Sequence, residues 1–193
     1  MTYVPNQVYH VFNQGNNRQK IFFNKRNYYF FLKKFKQECL PYVDVLCYCL
    51  MPNHFHFLLI VNAVGCRYLH GPSPMVGNQQ RFARSLGTLL SSYTRAINKQ
   101  EGRTGSLFRA KTKAKDGWID GFITVDSKEG HRLFRPDNDY AQACFQYIHM
   151  NPVEAGLAKR PTDWLFSSAR EYAHLSGTPL CNHSLAKKCG LIP

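Results

Sequence analysis

The run MPNHFHFLLI at residues 51–60 places two histidines one residue apart in an apolar segment. Side chains alternate across a strand, so His54 and His56 point to one side while Phe55, Phe57, Leu59 and Val61 take the other. Two imidazoles about 7 Å apart along a strand can converge on one divalent cation. On spacing alone, one or both being half-buried strand histidines with ordinary hydrogen bonds is the commoner case. Met51-Pro52-Asn53 reads as a turn. The histidines therefore open the second arm of a hairpin whose first arm is residues 43–50.

Two other groups carry chemistry. Tyr147 and Asn151 stand at i and i+4, on one face of an expected helix, and Tyr140 and Cys144 extend that face. The chain holds eleven tyrosines, so composition singles out none of them. A half-buried tyrosine and a polar residue closing a helix before proline are the ordinary readings. Residues 107–115 alternate sharply. Phe108, Ala110, Thr112 and Ala114 fall on one side, and Arg109, Lys111, Lys113 and Lys115 on the other. Cations at about 6.6–7 Å intervals suit a nucleic-acid backbone, and they equally suit a solvated edge strand.

These groups need positioning elements. Residues 7–13 alternate as a strand, with Val8, His10 and Phe12 on one side. His10 could approach a metal held by the other two histidines, although a core or surface histidine is the commoner case. Asn24 caps a helix running to about residue 40, with Tyr28, Phe31, Leu32, Phe35 and Cys39 as its buried stripe. Glycines and prolines make residues 62–78 a loop. A second helix covers about 79–99, with Phe82, Leu86, Leu89, Tyr93 and Ile97 inward. Residues 116–138 read as an excursion. A third helix starts at Pro136-Asp137-Asn138, runs through Tyr147 and breaks at Pro152. The order strand, helix, hairpin, helix, strand, helix predicts an α+β fold. It is a ferredoxin-like antiparallel sheet backed by helices, with a separate tyrosine-bearing helix.

Composition sets the class. The chain has 193 residues and 44% apolar content, enough for one domain with a buried core. We expect a single domain over 1–193, with the insertion at about 116–138 and a C-terminal extension from about 158. Net charge is +13, which favours a polyanionic partner, nucleic acid before an acidic membrane surface. No apolar run reaches the roughly 18 residues of a membrane helix. No signal pattern opens the chain, so a cytoplasmic location is expected. There are seven cysteines. Cys47 and Cys49 read as core, and the spacing of Cys181, His183 and Cys189 matches no common zinc module.

MPNHFHFLL, followed about ninety residues later by YIHMNPVEAGL, resembles the HUH single-tyrosine transposases of the insertion-sequence and REP-associated type. VYHVFNQGNNRQKIFF and GSLFRAKTK share the resemblance, which spans most of residues 7–170. It implies a metal-dependent DNA endonuclease and strand transferase. His54, His56 and Asn151 would hold Mg²⁺ or Mn²⁺, and Tyr147 would attack the DNA. The implied partner is single-stranded DNA, commonly with a hairpin, and a homodimer is possible. Arg109, Lys111, Lys113 and Lys115 are the candidate backbone contacts. Many such proteins carry a basic residue where Gln14 stands. The alternatives are a non-catalytic nucleic-acid-binding module and a metal-dependent nuclease using water.

Overall fold

A computed structural model describes residues 2–69, 79–116, 140–175 and 179–193. Four strands, β1 (Val8–Gln14), β2 (Val43–Met51), β3 (His54–Val61) and β4 (Lys113–Asp116), form one antiparallel sheet in the order β2-β3-β1-β4. With α1 (Lys25–Glu38) between β1 and β2, and α3 (Arg81–Gln100) between β3 and β4, this is the ferredoxin-like arrangement. The histidine strand β3 is central, as the sequence predicts.

Strand alternation sorts the sheet into two faces. Tyr9, Val11, Phe55, Phe57, Leu59 and Val61 pack with the stripes of α1 and α3. Phe35 stacks on Phe57 with centroids 4.2 Å apart. All five residues expected to face inward on α3 are buried. Asn24 caps α1 through a reciprocal pair of bonds with Asn27. On the opposite face, Val8, Cys47, Cys49, Leu58 and Ile60 meet α4 (Tyr140–Glu154) and Ala186 of α6 (His183–Lys188). The histidine side of β3 thus faces the tyrosine helix.

Four expectations need correction or bounding. Residues 62–78 are not all loop, because Asn62 caps a short helix, α2 (Ala63–Cys66), by accepting from the Gly65 amide; residues 70–78 lie outside the described part. Pro152 does not end the tyrosine helix. It lacks an amide hydrogen, yet the helix runs on to Glu154 and closes at Gly156, whose φ of 68° lets the Leu157 amide reach back to the Pro152 carbonyl. The start of this helix at 136–138 and the excursion fall outside the described residues, apart from Asp116 at the end of β4. Finally, the strand expected over 107–115 is regular only from Lys113.

That last difference has a local cause. Phe12 pairs with Lys113, but Gly15 pairs with Phe108, so five residue steps on one side span three on the other. The surplus bulges outward. Buried Asn13 fills the bulge, donating to the Arg109 carbonyl at 3.2 Å and to Thr112 Oγ1 at 2.9 Å. Ala110, expected to share a side with Phe108, is therefore exposed while Phe108 is buried.

The chain after α4 is more structured than its sequence suggests. Residues 166–168 run beside β2: the Leu50 amide donates to the Phe166 carbonyl and the Ser168 amide to the Tyr48 carbonyl. Further along, the Asn182 amide donates to the Val45 carbonyl. Buried Glu171, in α5 (Ala169–Tyr172), accepts from the Leu180 and Cys181 amides at 2.9 Å each.

Candidate active site

His54 is the first residue of β3, and its position depends on the turn before it. The loop after β1 folds over that turn. The Gly15 amide donates to the Asn53 carbonyl, and the Ile21 and Phe22 amides to the Pro52 carbonyl. A side chain at Gly15 would put its Cβ 2.2 Å from the Gln19 carbonyl oxygen, so only glycine allows this approach. Asn53 links the turn to His54. Its Nδ2 donates to the Arg18 carbonyl at 3.3 Å, which turns its Oδ1 toward His54 Nδ1, 2.6 Å away. His54 Nδ1 therefore carries the proton and donates, leaving Nε2 bare.

That bare nitrogen lies 3.2 Å from Asn151 Oδ1. Asn151 is buried on α4 and reached from the opposite layer of the fold. Two acceptors facing each other at this distance repel unless a proton or a cation joins them. Burial holds the His54 imidazole below the usual histidine range, with the Asn151 contact acting weakly in the other direction. Burial also pushes His56 well below that range, reinforced by His10 and His54. Both rings are thus neutral near pH 7. The Nε2 of His56 is buried with no hydrogen-bond partner among the described residues. The Nε2 atoms of both imidazoles and an amide oxygen fit a divalent cation, provided His56 Nε2 carries no proton. Among the described residues no group of three His, Cys, Asp or Glu is placed to hold a metal, Cys181, His183 and Cys189 included.

Tyr147 stands on the same helix face one turn before Asn151. Its ring lies edge-on to that of His56, with centroids 5.6 Å apart. The sequence placed these residues ninety-one positions apart; the fold brings them into contact within one chain. Burial pushes the phenol above its ordinary value, with a hydrogen bond to the Asn151 side chain pulling it back. The tyrosine is thus protonated at neutral pH and needs activation to act as a nucleophile.

His54, His56, Tyr147 and Asn151 open into a cleft of about 350 Å³, together with Phe12, Gln14, Arg109, Lys111 and Lys113. Three of the four expected cations therefore border the tyrosine and the histidines, and each is exposed. The fourth, Lys115, is placed only by its backbone, opposite His10 on β1. Gln14 pairs with His54 across the strands and is part of the cleft wall.

Two histidines remain. His149 is buried and turned away from the cleft, with Nε2 2.8 Å from Ser168 Oγ. His10 is more involved than its sequence position suggests: it is buried, with Nε2 2.8 Å from His56 Nδ1. Shared parity on paired strands was the signal that could have placed it.

Burial depresses His149 to about 4. Its folded pKa lies below the unfolded value of about 6.5, so its stabilising contribution is full above pH 6.5 and declines as pH falls toward 4. This group alone should remove roughly 2 kcal/mol between pH 7 and pH 5. Urea melts at the two pH values should show that loss, and a His149→Asn variant should lose less.

No protein-family model matches the chain, and neither does any curated protein. Among solved structures, it is similar to a REP-associated tyrosine transposase bound to a REP hairpin. The TM-score is 0.55 at 14% identity, and the match covers 94% of each chain. At that identity the likeness shows the fold alone, an α+β arrangement of a four-stranded antiparallel sheet and helices. Among the described residues no helix is long and apolar enough to cross a membrane.

Proposed function

We propose that the protein cleaves and rejoins single-stranded DNA through a covalent 5′-phosphotyrosine intermediate on Tyr147. The observation that carries this reading is the meeting of Tyr147 with His54, His56 and Asn151 in one cation-rimmed cleft. The similar structure, a tyrosine transposase bound to a DNA hairpin, supports it.

His54 Nε2, His56 Nε2 and Asn151 Oδ1 would hold a divalent cation, Mg²⁺ or Mn²⁺, with imidazole donors leaning toward Mn²⁺. Bound there, the ion would neutralise charge on a non-bridging phosphate oxygen and polarise the phosphorus. Arg109, Lys111 and Lys113 hold the strand by its phosphates, with Lys115 continuing the line. Tyr147 Oη gives up its proton and attacks phosphorus. The bond from phosphorus to the 3′ oxygen breaks as the bond to Oη forms, and the leaving oxygen takes a proton. The ester keeps the bond energy, so another 3′-hydroxyl can reverse the step without a nucleotide cofactor.

The test uses hairpin-bearing single strands labelled at either end, incubated with Mn²⁺ and resolved on a denaturing gel. A strand-transferase traps the label on the 3′ side of the break and releases the other end free. Release of both ends would instead indicate water as the nucleophile. Salt-sensitive binding without scission would indicate a binding module.

The cation rim makes a separate prediction. Each lost phosphate contact should lower the slope of log affinity against log salt by about 0.7 on a single strand or about 0.9 on a duplex. A Lys111→Ala, Lys113→Ala double variant should therefore bind more weakly and with a shallower salt dependence. Titrations by fluorescence anisotropy at several salt concentrations measure this.

A further inference from the structure

Each imidazole of the histidine pair is held by its second nitrogen, and the two holders differ. For His54 the holder is the Asn53 amide oxygen, which only accepts. For His56 it is another imidazole, His10, which can either donate or accept. Which role His10 takes decides whether His56 can bind a metal.

Suppose His10 Nε2 donates. His56 Nδ1 then accepts, and neutral His56 keeps its proton on Nε2. A buried N–H would point into the cleft without an acceptor, and no lone pair would be available there. If His10 Nε2 accepts instead, His56 Nδ1 donates and Nε2 is bare. The proton of His10 then sits on Nδ1, which faces Cys144 Sγ at 3.8 Å. Sulfur is a weak acceptor, so that side tolerates the proton. The ring of His10 lies against that of Phe12, centroids 4.8 Å apart, and beside that of His56, centroids 5.0 Å apart.

We propose that His10 is a positioning residue: by accepting from His56 Nδ1 it holds His56 in the tautomer whose bare Nε2 faces the cleft. This inference rests on the metal reading of the site, but it can be tested without DNA, activity or metal. Metal-bound histidines ordinarily donate their second N–H to an oxygen; here a histidine on the neighbouring strand takes that part.

Long-range ¹⁵N–¹H correlation spectra of the metal-free protein report the tautomer directly. In the wild type we expect His56 to carry its proton on Nδ1. In a His10→Leu variant the Nε2–H form should appear, and Mn²⁺ affinity should fall about tenfold to a hundredfold. A His10→Gln variant offers an amide oxygen to the same N–H and should keep both the tautomer and the affinity. The proposal is overturned if wild-type His56 is protonated on Nε2. It is equally overturned if a folded His10→Leu protein binds Mn²⁺ as the wild type does, or if His10→Gln loses as much as His10→Leu. Should His10→Leu fail to fold, the wild-type spectrum and the Gln variant still decide. If wild-type His56 is protonated on Nδ1 but Mn²⁺ does not bind, the metal reading fails while the role of His10 stands.

Discussion

A Tyr147→Phe variant is expected to bind hairpin-bearing single strands as the wild type does and to form no covalent adduct. The change removes one oxygen. The ring stays edge-on to His56, and the cations proposed to hold phosphate are other side chains of the cleft. Adduct yield should fall at least about 10³-fold, since removing the attacking group costs up to about 10⁶-fold in other enzymes. The fold should be unaffected, because among the described residues the phenol oxygen anchors no element of the sheet. Adduct at wild-type levels would move the nucleophile to another residue and end the assignment. Unchanged binding with unchanged scission and no adduct in either protein would make water the nucleophile.

A His56→Ala variant should lose Mn²⁺-dependent scission by more than about a hundredfold, at least the penalty for disturbing an outer partner of a metal ligand. His56 is the centre of the cluster, touching His10, His54 and Tyr147 at once. Its loss removes one donor and frees the ring of His10. Isothermal titration with Mn²⁺ separates the two consequences, because a weakened site binds less ion while a merely displaced tyrosine leaves binding intact. A chelator added to the wild type should reproduce the loss of scission, with recovery on adding Mn²⁺ back. Scission that persists in excess chelator would exclude the cation from the reaction.

The sequence made most of this arrangement legible, for identifiable reasons. Period-two alternation assigned His54 and His56 to the face opposite Phe55 and Phe57, and the sheet keeps that parity. Period-3.6 spacing gave the inner faces of α1 and α3, because both helices pack on a flat apolar surface that rewards a single stripe. Tyr147 and Asn151 share a face for the same reason. The bulge beside Asn13 was not legible, since it follows from a mismatch between two segments nearly a hundred residues apart. The continuation of α4 past Pro152 was missed because proline removes one hydrogen bond without forbidding the next turn when Gly156 can close it. His10 was undervalued because a lone histidine acquires a role only once the strand beside it is known. The tail gave little signal because its work is done by backbone amides and by one buried carboxylate, Glu171.

The hydrogen bonds from residues 166–168 and 182 to β2 have a consequence for biosynthesis. These residues leave the ribosome after the four described strands and both supporting helices. Until they arrive, the outer border of the nascent sheet presents bare amide and carbonyl groups to any neighbouring polypeptide. The segment that closes this border is thus the molecule's own chaperone, delivered after the edge it covers.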